Sequence, residues 1–204
     1  MKDQELEVKF HISDLGALER QLQASGAPQS QARTHEVNLR FDLPDQSLTR
    51  SLQVLRLRQD TKARMTYKGP GRDEGGVRLR REIEFVVSDF GQARSLLEAL
   101  GYQVSMMYEK YRAVYDLDDV HVTLDEMPFG AFIEIEGPEP ASIQAAARRL
   151  DLDWNARVLD SYTSLFDQLR RVTGFTFRDL SFANFKVQPA PLDAIGIRPA
   201  DIKP

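Results

Sequence analysis

A chain of 204 residues, 42% hydrophobic and 28% charged, can bury a substantial core, which excludes an extended disordered protein and suits one large domain. The lack of cysteine excludes disulfides and thiolate metal sites, and no apolar run is long enough to cross a bilayer as a helix. A net charge of −4 speaks against sequence-independent nucleic-acid binding, and MKDQELEVKF lacks the apolar stretch of a secretory signal, so the expected location is cytoplasmic.

The first element is ELEVKF (5–10), whose strict alternation places Glu5, Glu7 and Lys9 on one face of a strand and Leu6, Val8 and Phe10 on the other. SDLGALERQLQAS (13–25) then reads as a helix, with Ser13 placed to cap it and Leu15, Leu18 and Leu22 as its apolar stripe. Period-two strands follow at THEVNLRFD (34–42), LQVLRLR (52–58), ARMTYKG (63–69) and VRLRREIEF (77–85), with GPGRDEGG (69–76) as a hairpin tip or mobile loop. SDFGQARSLLEAL (88–100) predicts a second helix, capped by Ser88 and stopped at Gly101. Strands return at MMYEKYRAVY (106–115), DVHVTLD (119–125) and AFIEIEG (131–137), before helices near 141–151 and 158–172. From Gly174 onward four prolines and little periodicity predict a peripheral extension or a loosely ordered tail. The chain thus divides into a domain over 1–172 and an extension over 173–204.

Eight strands with few helices predict an α+β protein built on an eight-stranded antiparallel closed β-barrel, because closure removes edges that would otherwise template aggregation. If the helices cover the barrel from outside, the apolar rows face them and the charged rows line a tunnel. The opposite arrangement would put the apolar rows in the lumen and leave the charges solvated. The rows themselves favour a tunnel. They pair like charges two residues apart, as in Arg56 with Arg58, Glu82 with Glu84, Lys110 with Arg112 and Glu134 with Glu136. Such neighbours sit about 7 Å apart and repel unless something neutralises them. Clustered carboxylates take hard divalent cations, clustered Arg and Lys take phosphate, and a polyphosphate with Mg²⁺ or Mn²⁺ serves both. A triphosphate-containing small molecule, with neither nucleic acid nor membrane as a partner, therefore suits the lining best.

The order ExExK at Glu5, Glu7 and Lys9, then RxR, K, ExE, KxR, D and a final ExE, resembles the CYTH or triphosphate tunnel metalloenzyme family across roughly residues 4–166. That family includes class IV adenylyl cyclases, thiamine triphosphatases and inorganic triphosphatases. The resemblance implies a Mg²⁺ or Mn²⁺ cofactor held by Glu5, Glu7, Asp125, Glu134 and Glu136. It implies that Lys9, Arg56, Arg58, Lys68, Arg80, Lys110 and Arg112 grip the substrate, with Lys9, Arg56, Arg58, Lys110 and Arg112 also acting in catalysis. Tyr162 joins them through a family-like SY pair. Several positions carry a second reading. Glu82 and Glu84 either serve the metal or pair with Arg78 and Arg80 across a strand, Asp125 is a ligand or a turn former, and His35 is either a site residue or a strand residue. Trp154 reads as a packing anchor. Arg40 departs from the family, in which many members carry an aromatic residue before the Phe-Asp pair. A metal-dependent triphosphatase is the expected function, with a class IV adenylyl cyclase and a noncatalytic polyphosphate sensor as alternatives. The resemblance also raises a homodimer.

Overall fold

The computed structural model describes residues 4–186 and 190–202. In chain order it contains β1 (Gln4–Ile12), α1 (Leu15–Ala24), β2 (Gln29–Asp42), α2 (Ser47–Arg50), β3 (Val54–Gln59), β4 (Ala63–Glu74) and β5 (Val77–Val87). These are followed by α3 (Phe90–Ala99), β6 (Gln103–Leu117), β7 (Val120–Met127), β8 (Gly130–Glu136), α4 (Pro140–Arg149), β9 (Arg157–Val158), α5 (Tyr162–Thr173) and α6 (Phe182–Phe185). The strands run β5-β4-β3-β2-β6-β7-β8-β1, and pairing of β1 with β5 closes an eight-stranded antiparallel barrel. All eight expected strands are present. The two-residue β9, too short to show a period, adds beside the second half of β1.

Side-chain parity sets the barrel's two surfaces. On β1, Leu6, Val8 and Phe10 are 8%, 1% and 0% exposed, while Glu5, Glu7 and Lys9 are 8%, 4% and 4% exposed, so the strand is buried on both faces. The apolar row packs outward against Leu18 and Leu22 of α1 and Ile143 of α4. On the far wall Leu39, Phe41 and Leu57 pack against Ala93 and Leu97 of α3. The charged rows are left to face the lumen.

Two local details differ from expectation, the helix caps and the start of the last long helix, and a third resolves an open choice. The caps of α1 and α3 are Asp14 and Asp89, one residue beyond the expected serines, and their carboxylates accept from Ala17 N at 2.8 Å and Gln92 N at 2.7 Å. Ser13 instead donates its hydroxyl to Asp201 at 2.7 Å. The last long helix begins at Tyr162 rather than near 158, because Arg157 and Val158 pair with β1 and Ser161 supplies the cap. The 69–76 stretch is a hairpin tip, β4 turning into β5 through Gly75 and Gly76 at φ 65° and 83°, a left-handed pair that glycine adopts without steric cost.

The stretch after Gly174 is packed onto the barrel rather than loose. Leu180 N donates to Met107 O at 2.9 Å and Glu109 N to Leu180 O at 3.1 Å, which ties it to β6. Phe177 stacks on Phe166 of α5, and Phe185 meets both Phe175 and Phe177. Further on, Ala200 N donates to His11 O at 2.8 Å. Residues 187–189 and 203–204 of the expected extension lie outside the described residues.

Candidate functional site

The lumen holds a cavity of about 210 Å³. The walls come from β1 through Glu5, Glu7 and Lys9, β3 through Arg56 and Arg58, β4 through Lys68, and β5 through Arg78, Arg80, Glu82 and Glu84. Lys110 and Arg112 of β6, Glu134 of β8, and Arg40 of β2 complete the charged lining. Nine cationic side chains therefore face five carboxylates. The same parity that put Leu6, Val8 and Phe10 against the helices puts each of these groups inside.

The charges interlock across strands. Glu5 takes Lys68 Nζ at 2.8 Å and Arg80 Nε at 2.7 Å, and Glu7 takes Lys9 Nζ at 2.9 Å and Arg80 Nη2 at 3.2 Å. Lys9 also reaches Glu134 at 3.2 Å, and Glu134 accepts from Arg112. On the opposite wall Glu84 receives Arg56 at 3.2 Å and Arg58 at 2.9 Å, while Glu82 meets Lys68 at 2.8 Å. Glu82 and Glu84 thus pair with cations of β3 and β4, not with Arg78 of their own strand.

Burial alone would raise Glu5 and Glu134, but Lys68 and Arg80 around the first, and Lys9 and Arg112 around the second, hold both well below the usual carboxylate range. Glu36, facing inward from β2, is likewise opposed by burial and drawn down to about 2 by Lys110, Arg112 and Arg58. Two carboxyls go the other way. Burial, with Glu5 nearby, pushes Glu82 up to about 7, and burial with Glu5 and Glu7 does the same to Glu136. Crowding of like charge around these two is what a bound cation relieves.

One end of the cavity is crossed by the start of α5, where Ser161, Tyr162 and Thr163 join the lining. The Tyr162 hydroxyl donates to Asp125 at 2.9 Å, and Lys9 and Lys110 lie 5.5 and 5.3 Å from its ring centroid. Burial and Asp125 hold its phenol well above its ordinary value.

Three expected site residues stand apart from the cavity lining. Asp125 is fully buried behind it. Its oxygens accept from Lys110 Nζ at 2.9 Å, from Arg112 Nε and Nη2 at 2.7 and 2.5 Å, and from Tyr162. Glu136 lies at the end of β8, beside Glu7 in register and beyond the lining. His35 points from β2 to the outer surface, paired with Glu109 at 2.9 Å and packed on Tyr111. Trp154 packs on Phe10 at 5.9 Å, as an anchor should. Conversely, Glu36, Asn38 and Arg40 share the inward face of β2, a row readable from the same alternation that singles out His35 on the opposite side. Tyr108, whose hydroxyl accepts from Arg56 at 3.2 Å, and Thr66, which donates to Glu84 at 2.8 Å, belong to the same interior.

The carboxylates supply hard oxygen donors of the kind Mg²⁺ and Mn²⁺ prefer. As they stand, Glu5, Glu7 and Glu134 are turned toward lysine and arginine. Among the described residues no three acidic or histidine side chains are gathered closely enough to enclose an ion.

The CYTH domain family model matches residues 3–159, most of the chain and all eight barrel strands. The chain belongs to the CYTH family. A curated relative, an adenylate cyclase CyaB from Aeromonas hydrophila, is 29% identical over 136 residues, covering 64% of this chain and 67% of the relative. A solved structure from Vibrio parahaemolyticus superposes with a TM-score of 0.73 at 22% identity, covering 81% of this chain and 98% of that one. A Pyrococcus horikoshii structure gives 0.66 at 28% identity over 78% and 98%. A Hippeastrum protein described as having a dominant triphosphatase activity gives 0.61 at 20% over 80% and 95%. The closed barrel with helices outside is the CYTH fold, and its relatives include both an adenylate cyclase and a triphosphatase.

Proposed function

We propose that this CYTH protein is a Mg²⁺- or Mn²⁺-dependent phosphohydrolase of triphosphate compounds. The observation that carries the reading is the density of cations at the lumen: nine line the cavity beside five carboxylates, with Glu36 and Asp125 buried behind them, and a polyanion can take up the donors that face the cavity. Arg56 and Arg58 on one wall, and Lys110 and Arg112 on the other, are placed to hold non-bridging phosphate oxygens and to stabilise the charge that spreads over them as the terminal phosphoryl group transfers. Lys9 and Lys68 hold carboxylates now and are available to the chain of phosphates once a cation takes those carboxylates over. Glu5, Glu7, Glu134 and Glu136 would hold that cation. When bound, it supplies charge neutralisation and Lewis-acid polarisation of the phosphoryl oxygens.

Asp125 acts from behind, fixing the Lys110 and Arg112 head groups and the Tyr162 hydroxyl that press on the ligand. Water attacks the terminal phosphorus, its oxygen forming the new P–O bond as the bridging P–O bond breaks and pyrophosphate or a diphosphate ester departs. The water's proton passes to a lining carboxylate, for which Glu82, on the β5 wall beside Lys68 at 2.8 Å, is a candidate.

Hydrolysis is favoured over cyclisation because the cavity offers no platform for a base. Among the described lining residues the aromatic ones are Tyr108 and Tyr162, whose hydroxyls are engaged by Arg56 and Asp125. The Hippeastrum protein shows that this fold can carry a dominant triphosphatase activity. Cyclisation of ATP is the second reading, favoured by the Aeromonas hydrophila relative. The test is a turnover panel of tripolyphosphate, thiamine triphosphate, ATP and GTP with Mg²⁺ or Mn²⁺. Orthophosphate release supports hydrolysis, pyrophosphate with cyclic nucleotide supports the second reading, and binding without turnover identifies a sensor. A barrel that does none of these refutes the proposal.

A further inference from the structure

Arg40 stands out among the cavity cations. It lies on β2 directly opposite Arg56 of β3, lines the cavity, and gives Nη1 to Thr163 Oγ1 at 2.7 Å, with Thr163 in turn 3.1 Å from Ser161 Oγ. Among the described residues Lys9, Arg56, Arg58, Lys68, Arg80, Lys110 and Arg112 each have a carboxylate oxygen within 4.0 Å, whereas Arg40 and Arg78 have none. Asp42, two residues away, spends its oxygens on the backbone of Leu43, Leu48 and Thr49. Arg78 gives Nη1 to Leu159 O at 2.9 Å, so the segment 159–163 touches both guanidinium groups that lack a direct carboxylate partner. Burial works against the Arg40 charge and outweighs the more distant support of Tyr108, Asp167 and Asp42, none of which gives it a carboxylate within 4.0 Å.

A half-buried guanidinium with donors facing a cavity selects a ligand by what is placed against it. A charged phosphate end group meets it with charge-assisted hydrogen bonds, while a ribose, base or other uncharged organic end group offers neutral acceptors that match it less well. Leu52 and Val54 are the aliphatic residues of the lining, too little apolar surface to hold a nucleoside in recompense. We propose that Arg40, oriented by Thr163, makes this cavity selective for inorganic tripolyphosphate, charged at both ends, over triphosphate esters of uncharged alcohols. This specificity rests on the triphosphate-binding reading of the site, and is separable from hydrolysis.

The experiment is calorimetric binding of tripolyphosphate and of a non-hydrolysable ATP analogue to the full chain and to Arg40→Gln and Thr163→Val, with phosphate release measured in parallel. Wild type is expected to bind tripolyphosphate more tightly. In Arg40→Gln that preference should fall roughly 10- to 100-fold, and Thr163→Val should shift it in the same direction by less. Because the readout is a ratio of two ligands on one protein, partial unfolding cancels. Equal losses for both ligands, or a wild-type preference for the nucleotide, would overturn the inference. Selective binding without phosphate release removes the hydrolase reading alone. Phosphate release with an unchanged ratio in Arg40→Gln removes this inference alone.

Discussion

Asp125→Asn removes one negative charge from beneath the cavity wall, and the structure sets the scale of the effect. The carboxylate is 0% exposed and holds Lys110, both donor nitrogens of Arg112, and the Tyr162 hydroxyl within 2.5–2.9 Å. An asparagine oxygen can keep two of those donors, but its amide group then faces cations, and two buried charges lose their shared partner. Breaking such an arrangement costs about 3–5 kcal/mol, against a total stability of about 5–15 kcal/mol for a typical domain. Urea denaturation should report that loss. Tripolyphosphate at a hundred times its Kd should return about 2.7 kcal/mol, because the ligand replaces the missing negative charge and binds only the folded barrel. The control is Glu126→Gln, which removes an equally short pair, Arg33 to Glu126 at 2.5 Å, with side chains 54% and 39% exposed. That pair should be worth less than about 1 kcal/mol. If Asp125→Asn costs no more than the control, the lumen is screened like a surface and the electrostatic reasoning fails.

Arg56→Ala should weaken tripolyphosphate binding on the order of a hundredfold, since it deletes a buried guanidinium from the cavity wall; unchanged affinity by calorimetry would remove that residue from the proposed grip. Glu82 and Glu136, both near 7 against an ordinary 4.5, make the folded chain bind more protons than the unfolded chain between those values. Stability of the metal-free protein should therefore fall as pH rises through 4.5 to 7, and Mn²⁺ affinity should rise over the same window as the protons are displaced. A Mn²⁺ affinity flat from pH 5 to 8 would count against carboxylate binding at these groups. Leu180→Ala, at a fully buried side chain of the carboxy-terminal stretch, should cost about 2–5 kcal/mol in urea; a loss well under 1 kcal/mol would mean that this stretch is not part of the cooperative core.

The barrel was legible because its strands obey a period of two so strictly that ELEVKF, LRLR and EIEF each declare both faces, and the apolar faces need helices to cover them. The inward row of β2 carries the same signal in Glu36, Asn38 and Arg40, and its parity places His35, which is open to either reading in the sequence, on the outer face. The environment of Asp125 was not legible. Its four donors converge from β6 and α5 onto β7, and convergence between distant segments leaves no local pattern. The carboxy-terminal stretch escaped for a related reason. Its anchors are single aromatic rings, one Leu180 bridge and the clip between Asp201 and the Ser13–Asp14 backbone, none of which recurs with a helical or strand period. At α1 the cap falls one position beyond Ser13 because Ser13 and Asp14 are both good caps and Ser13 is taken by Asp201.

A structure of the protein solved with tripolyphosphate and Mn²⁺, using the anomalous signal of manganese, probes the inward-facing charges most directly. Phosphate density between Arg56, Arg58, Lys110 and Arg112, with manganese against Glu5, Glu7 or Glu136, is the expected result. Ligand and metal bound outside the barrel, with the interior ion pairs undisturbed, would contradict it.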